Sequence, residues 1–217
     1  MANTTPRERA RQETEAQITR IANRMLDADG LEGVSLRAIA RELGIVSSAI
    51  YRYVRNRDEL LTILIRDAYT SIADEVDSAL DADESVLTVG AIMLDWSRRH
   101  PNRWALIYGT PIPDYQAPRD ETVVPGTRIA VRLATLLAKT PGAKDELQVP
   151  PAHAFDALRE GLREMRVEAD DAVIMQCVTV WVAIIGLINA FRFGQFGPGI
   201  ESAEDELMGG LVSTLGY

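Results

Sequence analysis

A chain of 217 residues is too long for one minimal module and suits a small head with a larger core. Its 47% hydrophobic and 25% charged content excludes wholesale disorder and a fibrous repeat, and its single cysteine, Cys177, excludes an internal disulfide. The net charge of -9 argues against nucleic acid for the chain as a whole but not for its first part: residues 1–66 carry 11 Arg against 9 acidic residues, whereas residues 67–217 carry 12 basic against 23 acidic.

In chain order, the first fifteen residues lack an apolar period and read as a frayed arm. From Ile18 the set Ile18, Ile21, Ala22, Met25, Leu26 recurs at helical spacing, which predicts a first amphipathic helix over about Arg9–Ala28 with Gly30 placed to end it. Ser35 is a good N-cap for a short second helix that turns Leu36, Ile39, Ala40 and Leu43 inward and stops at Gly44. Gly44-Ile45-Val46 then turns the chain into a third helix, Ser47–Val54, and two short helices joined by a tight glycine turn make a helix-turn-helix. Asn56 and Glu59 resemble a capping box for a long fourth helix through Leu60, Leu64, Ala68, Ile72 and Val76.

Beyond it, Glu84–His100 reads as a helix with Leu87, Ala91 and Leu94 inward, ended by Pro101, and a short turn is expected around Trp104. Gly109–Gly126 carries four prolines and reads as an ordered loop. Helices are predicted over Pro125–Thr140, Pro151–Met165, Asp170–Phe193 and Ser202–Leu215, with a Pro/Gly loop between the first two. No strand pattern and no repeat stands out. The expected fold is therefore all-α: a three-helix helix-turn-helix head, residues 1–57, and a helical ligand-binding and dimerisation body, residues 58–217.

A helix-turn-helix lays its second helix in the major groove, so the exposed side chains of that helix read bases while surrounding donors hold phosphates. The predicted exposed face is Ser47, Ser48, Ala49, Arg52 and Tyr53, with Ile50 and Val54 turned back into the head. Arg52 is able to make a bidentate contact to guanine, and Ser47 and Ser48 to bond bases or phosphates. Ser35–Arg57 also holds five arginines against Glu42 alone, a local excess that suits a phosphate backbone, although such stretches are often only solvated faces.

The run Ser-Leu-Arg-Ala-Ile-Ala-Arg-Glu-Leu-Gly from Ser35, then Ile50-Tyr51-Arg52-Tyr53-Val54 and Arg57-Asp58-Glu59-Leu60-Leu61, resembles the head of the TetR family over about 50 residues. The resemblance implies phosphate contacts from Tyr51, Tyr53 and Arg57, with Ser35 at the phosphate-facing start of its helix, and Arg37 joins this set as a DNA-binding candidate. Two departures stand out: Arg57 replaces the usual lysine, and Val46 stands where a capping serine is usual, which is expected to shift the cap to Ser47. The rest of the chain resembles the C-terminal class of actinobacterial TetR proteins with a Trp-His-Gly signature, through His100-Pro101, Tyr108–Tyr115, and Trp181 followed by Gly186. Ile185 occupies the place of the signature histidine, so a more apolar pocket is implied.

Residues 172–191 contain no charge and are long enough to span a bilayer. The small or polar stripe Gln176, Thr179, Ala183, Gly186, Ala190 instead suits a packed helix in a soluble dimer, paired with Leu207, Leu211 and Leu215 in a four-helix seam of the kind the family implies. Expected interface residues are Thr179, Ala183, Gly186, Ala190, Leu207 and Leu211. Met93, Trp96, Trp104, Tyr108, Tyr115 and Trp181 are the candidate lining of an effector pocket, although core packing explains most of them equally well.

Catalysis has thin support. His100 and His153 are the only histidines, Cys177 sits among apolar residues as an inert thiol, and no phosphate loop, nucleophile elbow or metal-ligand cluster is present, so no catalytic, metal or cofactor site is expected. With no signal segment at Met1, a cytoplasmic homodimer is expected that binds a double-stranded DNA operator, has no membrane partner, and is released as a repressor by an apolar or amphipathic small molecule. A small all-helical enzyme, and a DNA-binding regulator controlled by a protein partner, are the alternatives.

Overall fold

A computed structural model describes residues 5–139 and 149–217. Among them are ten α-helices and no strand, in agreement with the all-α expectation: α1 Pro6–Gly33, α2 Leu36–Glu42, α3 Ser47–Ile50, α4 Arg57–Leu80, α5 Val86–Arg99, α6 Pro101–Tyr108, α7 Arg119–Lys139, α8 Asp156–Glu164, α9 Asp171–Arg192 and α10 Glu204–Thr214. Short 3-10 turns precede α8 and α10.

The chain divides into two compact units, Met1–Thr70 with His100–Val123, and Ser71–Arg99 with Val124–Tyr217. Neither unit ends at residue 57, and α6 with the segment after it shares a unit with the helix-turn-helix. In the first unit, Ile18, Ala22 and Leu26 of α1 pack with Ile39, Ala40, Ile50, Val54 and Leu64 in one core, and Leu106 of α6 packs against it. In the second, α5 packs on α9 and α10. Gly90 makes that approach possible, since a Cβ there would stand 2.8 Å from Met208 Sδ.

Several elements differ from expectation. Of the expected frayed arm, residues 1–4 lie outside the described residues, and from Pro6 on it is helix: Thr5 caps α1, its hydroxyl accepting from Glu8 N at 3.3 Å while the Glu8 carboxylate accepts from Thr5 N at 2.7 Å, and Arg11 bonds Glu15 at 2.7 Å one turn on. These local contacts hold the first turns without an apolar face. Gly30, at φ 68°, breaks the regular helix, but one more turn follows to Gly33. The third helix is one turn long, and residues 51–53 continue as turn. In α5 the inward set is Val86, Val89, Gly90, Met93, Leu94, Trp96 and Ser97, so Leu94 faces in as expected while Leu87 and Ala91 are exposed; contact of Gly90 with Met208 fixes that rotation. The turn around Trp104 is helix α6, with Pro101 at its first position, where a missing N–H costs nothing.

The irregular segment ends at Pro118. α7 starts at Arg119 and carries Pro125 inside, six residues earlier than the predicted start. Of the loop expected between Lys139 and Pro151, residues 140–148 lie outside the described residues. The following segment is a 3-10 turn, Ala152–Phe155, and then α8. α9 and α10 keep close to their predicted bounds: Asp170 Oδ1 accepts from Val173 N at 2.8 Å to cap α9.

Candidate nucleic-acid interface

Ser35 caps α2, its hydroxyl accepting from Ala38 N at 3.2 Å, and Leu36, Ile39 and Ala40 bury the inner face. Gly44 takes φ 68°, a left-handed backbone that glycine adopts at little cost, and Ile45 N donates back to Ala40 O at 3.0 Å. The turned chain enters α3 at Val46, which stands at the N-cap with no side-chain hydrogen bond; the cap has not shifted to Ser47. Ile50 and Val54, 0% and 1% exposed, anchor the segment in the core. Ser47, Ser48, Tyr51 and Arg52 are left exposed, and Ala49 and Tyr53 half-buried.

The capping box at α4 is half formed. Asn56 Oδ1 accepts from Glu59 N at 2.9 Å, but the Glu59 carboxylate turns to Arg55, taking its backbone N–H at 2.5 Å and its Nε–H at 3.1 Å. This partnership raises the Arg55 pKa; at Glu59 burial is the largest single influence and pushes the carboxyl up, but the two hydrogen bonds and the charge of Arg55 together outweigh it and hold the carboxyl below its usual range. Glu42 is likewise engaged, by Arg24. Glu42 and Glu59 are thus paired, while Arg37, Arg41, Arg52 and Arg57 make no ion pair among the described residues.

Four of the expected DNA-binding residues meet in one place. Ser35, Arg37, Tyr51 and Arg57 line an open groove of about 370 Å³, in which Arg57 Nη1 reaches Val34 O at 3.5 Å. Arg52 and Tyr53 line a second open groove of about 610 Å³, shared with Arg7, Arg11 and Thr14 of α1. The two α1 arginines escaped sequence reading because residues before Ile18 carry no apolar period; the Thr5/Glu8 capping spacing was the available signal.

The expected effector-lining set divides between the units. Trp104, Tyr108 and Tyr115 belong to the first, where the Trp104 and Tyr108 rings meet tilted at 48° with centroids 4.5 Å apart, Tyr69 meets Tyr108 edge-on at 5.8 Å, and the Tyr115 and Thr62 hydroxyls lie 2.9 Å apart. Burial raises the Tyr108 phenol far above its ordinary range. Met93, Trp96 and Trp181 belong to the second, where Met93 and Trp96 are fully buried, Trp96 Nε1 donates to Ser71 Oγ at 3.2 Å, and Trp181 is half-buried.

Of the expected interface residues, Gly186 and Leu207 are exposed, and Thr179, Ala183 and Leu211 half-buried. Ala190 is buried within its own unit, as is Gln176 at the other end of the stripe. Met208 and Val212 form the inward face of α10.

Residues 18–62 match the family model described as bacterial regulatory proteins, tetR family, and residues 86–215 match one described as tetracyclin repressor-like, C-terminal domain. The HTH-type transcriptional regulators Mb1846 of Mycobacterium bovis and Rv1816 of Mycobacterium tuberculosis are each 40% identical over 200 residues, covering 87% of this chain and 84% of theirs. The solved structure of SCO4313, described as a regulatory protein, superposes with a TM-score of 0.77 at 30% identity over 97% of this chain and 98% of its own.

Proposed function

The chain belongs to the TetR family of bacterial regulators, DNA-binding transcription factors rather than enzymes, and we propose that it is a repressor whose head grips an operator and whose body answers a small apolar or amphipathic molecule. The observation that carries the DNA-reading assignment is the convergence of Ser35, Arg37, Tyr51 and Arg57 on one exposed groove beside the recognition segment. In this reading those four, with Tyr53, hold phosphates and fix the register. Ser47, Ser48 and Arg52, on the exposed side of a segment anchored by Ile50 and Val54, read base edges.

Residues 1–57 are assigned the DNA-binding role and residues 58–217 effector binding and dimerisation. One head offers one recognition segment, so two heads related by a twofold axis fit two half-sites of an inverted repeat. The dimer seam is assigned to the accessible residues Thr179, Ala183 and Gly186 of α9 with Leu207 and Leu211 of α10. In this arrangement the apolar α9, with a mean hydropathy of 2.1 over its most apolar window, is a packed helix of a cytoplasmic dimer rather than a membrane span. Of the six candidate residues, Met93, Trp96 and Trp181, which share the second unit, are proposed to line or border the effector site, with Ile185 making it apolar.

Sequencing the genomic fragments retained by the purified protein tests this reading. An inverted repeat recurring in the retained set is expected; retention without a shared sequence would contradict operator recognition. Apolar metabolites that change the fluorescence of Trp96 or Trp181 should release that operator, and by linkage should bind the operator complex less tightly by the same factor. A ligand that binds and leaves operator affinity unchanged is not the effector.

A further inference from the structure

We propose that the α1 face bearing Arg7 and Arg11 is a second DNA-contacting surface, which holds phosphates of the duplex flanking each half-site. The inference rests on the head's DNA-binding reading and extends it to a segment outside the helix-turn-helix. The capping box of Thr5 and Glu8 starts α1 at Pro6, so Arg7 and Arg11, one turn apart, project from one face of a formed helix. Both are exposed, and both line the open groove of about 610 Å³ that Arg52 and Tyr53 of the recognition segment also line.

The charge of that groove favours a polyanion. Its charged lining is Arg7, Arg11 and Arg52 against Glu8 alone, and the Glu8 carboxylate is taken up by Thr5 N at 2.7 Å and Thr5 Oγ1 at 2.9 Å. Arg7 and Arg52 make no ion pair among the described residues. Arg11 has Glu15 at 2.7 Å, but the pair is exposed, and such pairs are worth so little that a phosphate can compete for the guanidinium. The occupant is duplex DNA because the groove is continuous with the recognition segment: a duplex seated on Arg52 runs on past it beside α1. Contacts of this kind read no sequence; they lengthen the footprint and add counterion release.

The test uses the full chain and the operator it selects, in two lengths: trimmed to the inverted repeat, and extended by about one helical turn on each side. For Arg7→Ala/Arg11→Ala on the extended DNA, the slope of log K against log salt should fall by about 3.6 for the dimer, two phosphates at each half-site at about 0.9 each, with the selected sequence unchanged. On the trimmed DNA the variant should match the wild type, and Arg7→Lys/Arg11→Lys should restore the slope on the extended DNA, which separates lost charge from lost folding. An unchanged slope on extended DNA, or an equal loss on both lengths, overturns the flanking contact while leaving the head reading intact. Failure of the wild-type protein to retain any sequence in preference to others overturns the head reading itself.

Discussion

Arg103 of α6 grips Asp27 of α1 with two parallel hydrogen bonds, Nε to Oδ1 at 2.8 Å and Nη2 to Oδ2 at 2.6 Å. The Arg103 side chain is only 14% exposed, and Asn102 next to it donates to Asp27 O at 3.1 Å, so α6 is tied to α1 at both a carboxylate and a carbonyl. A fork-to-fork pair of this kind is directional as well as attractive. Arg103→Ala should therefore lower unfolding free energy by about 1–2 kcal/mol in urea titrations, and Arg103→Lys should recover only part of it because lysine offers no planar fork. An Arg103→Lys protein as stable as the wild type would remove the argument from geometry.

Glu204 is a second anchor, 2% exposed at the start of α10. It accepts from Arg98 Nε at 2.7 Å and from Arg192, while Arg98 also reaches Asp205 at 2.9 Å, so the ends of α5 and α9 and the beginning of α10 meet at one carboxylate. Glu204→Gln keeps the shape and removes the charge, leaving two guanidiniums to face a neutral amide. The expected cost is about 3–5 kcal/mol, read as a lowered urea midpoint with unchanged m, and a loss below about 1 kcal/mol would mean that solvent or Asp205 compensates.

The reading of Cys177 as an inert thiol gives a pH prediction. Burial pushes its pKa up to about 11 from 9.0. A group whose folded pKa is raised contributes stability fully present below the unfolded pKa and lost as pH rises through the folded one. The wild-type Tm should thus fall more than that of Cys177→Ala between about pH 9 and 11. At pH 8 a disulfide reagent should label the native thiol about 100-fold more slowly than the urea-unfolded chain, in proportion to the thiolate fraction. Equal labelling rates would contradict the burial.

The core of the head and the bounds of its second helix were legible in the sequence, whereas the caps of its other helices were not. Ser35 and Gly44 bound the second helix as expected, and Ile50 and Val54 turn inward as their spacing requires. That same spacing misled on length: a turn at residues 51–53 also carries Val54 inward, so periodicity could not separate one helical turn from two. In α5 two stripes compete, Leu87 with Ala91 and Val89 with Met93, and only the later arrival of Met208 over Gly90 decides between them. Pro125 reads locally as a helix start, yet α7 accommodates it inside. The effector candidates were aromatic residues chosen by type, and no local pattern announces that Trp104, Tyr108 and Tyr115 fall in the unit of the head.

For the dimer, Gly186 offers a clean probe. It is exposed, and nothing lies within 4 Å of where its Cβ would be, so Gly186→Phe should leave the fold of one chain undisturbed. Sedimentation should then show a dimer for the wild type and a folded monomer for the variant at micromolar concentration. A variant that stays dimeric would place the seam elsewhere.

Selection of DNA from a random pool by the wild-type protein, Arg52→Ala and Arg57→Ala tests most directly whether the recognition segment reads bases while its surroundings hold phosphates. Arg52 lies exposed on the segment anchored by Ile50 and Val54, and Arg57 lies in the phosphate-side groove with Ser35, Arg37 and Tyr51. Arg57→Ala should return the wild-type inverted repeat with affinity lowered about equally for every sequence and a salt slope smaller by about two phosphates, one at each half-site. Arg52→Ala should cost about 1–3 kcal/mol and lose its preference at one symmetric base position in each half-site. An Arg52→Ala protein that selects the wild-type sequence at wild-type affinity would contradict the account.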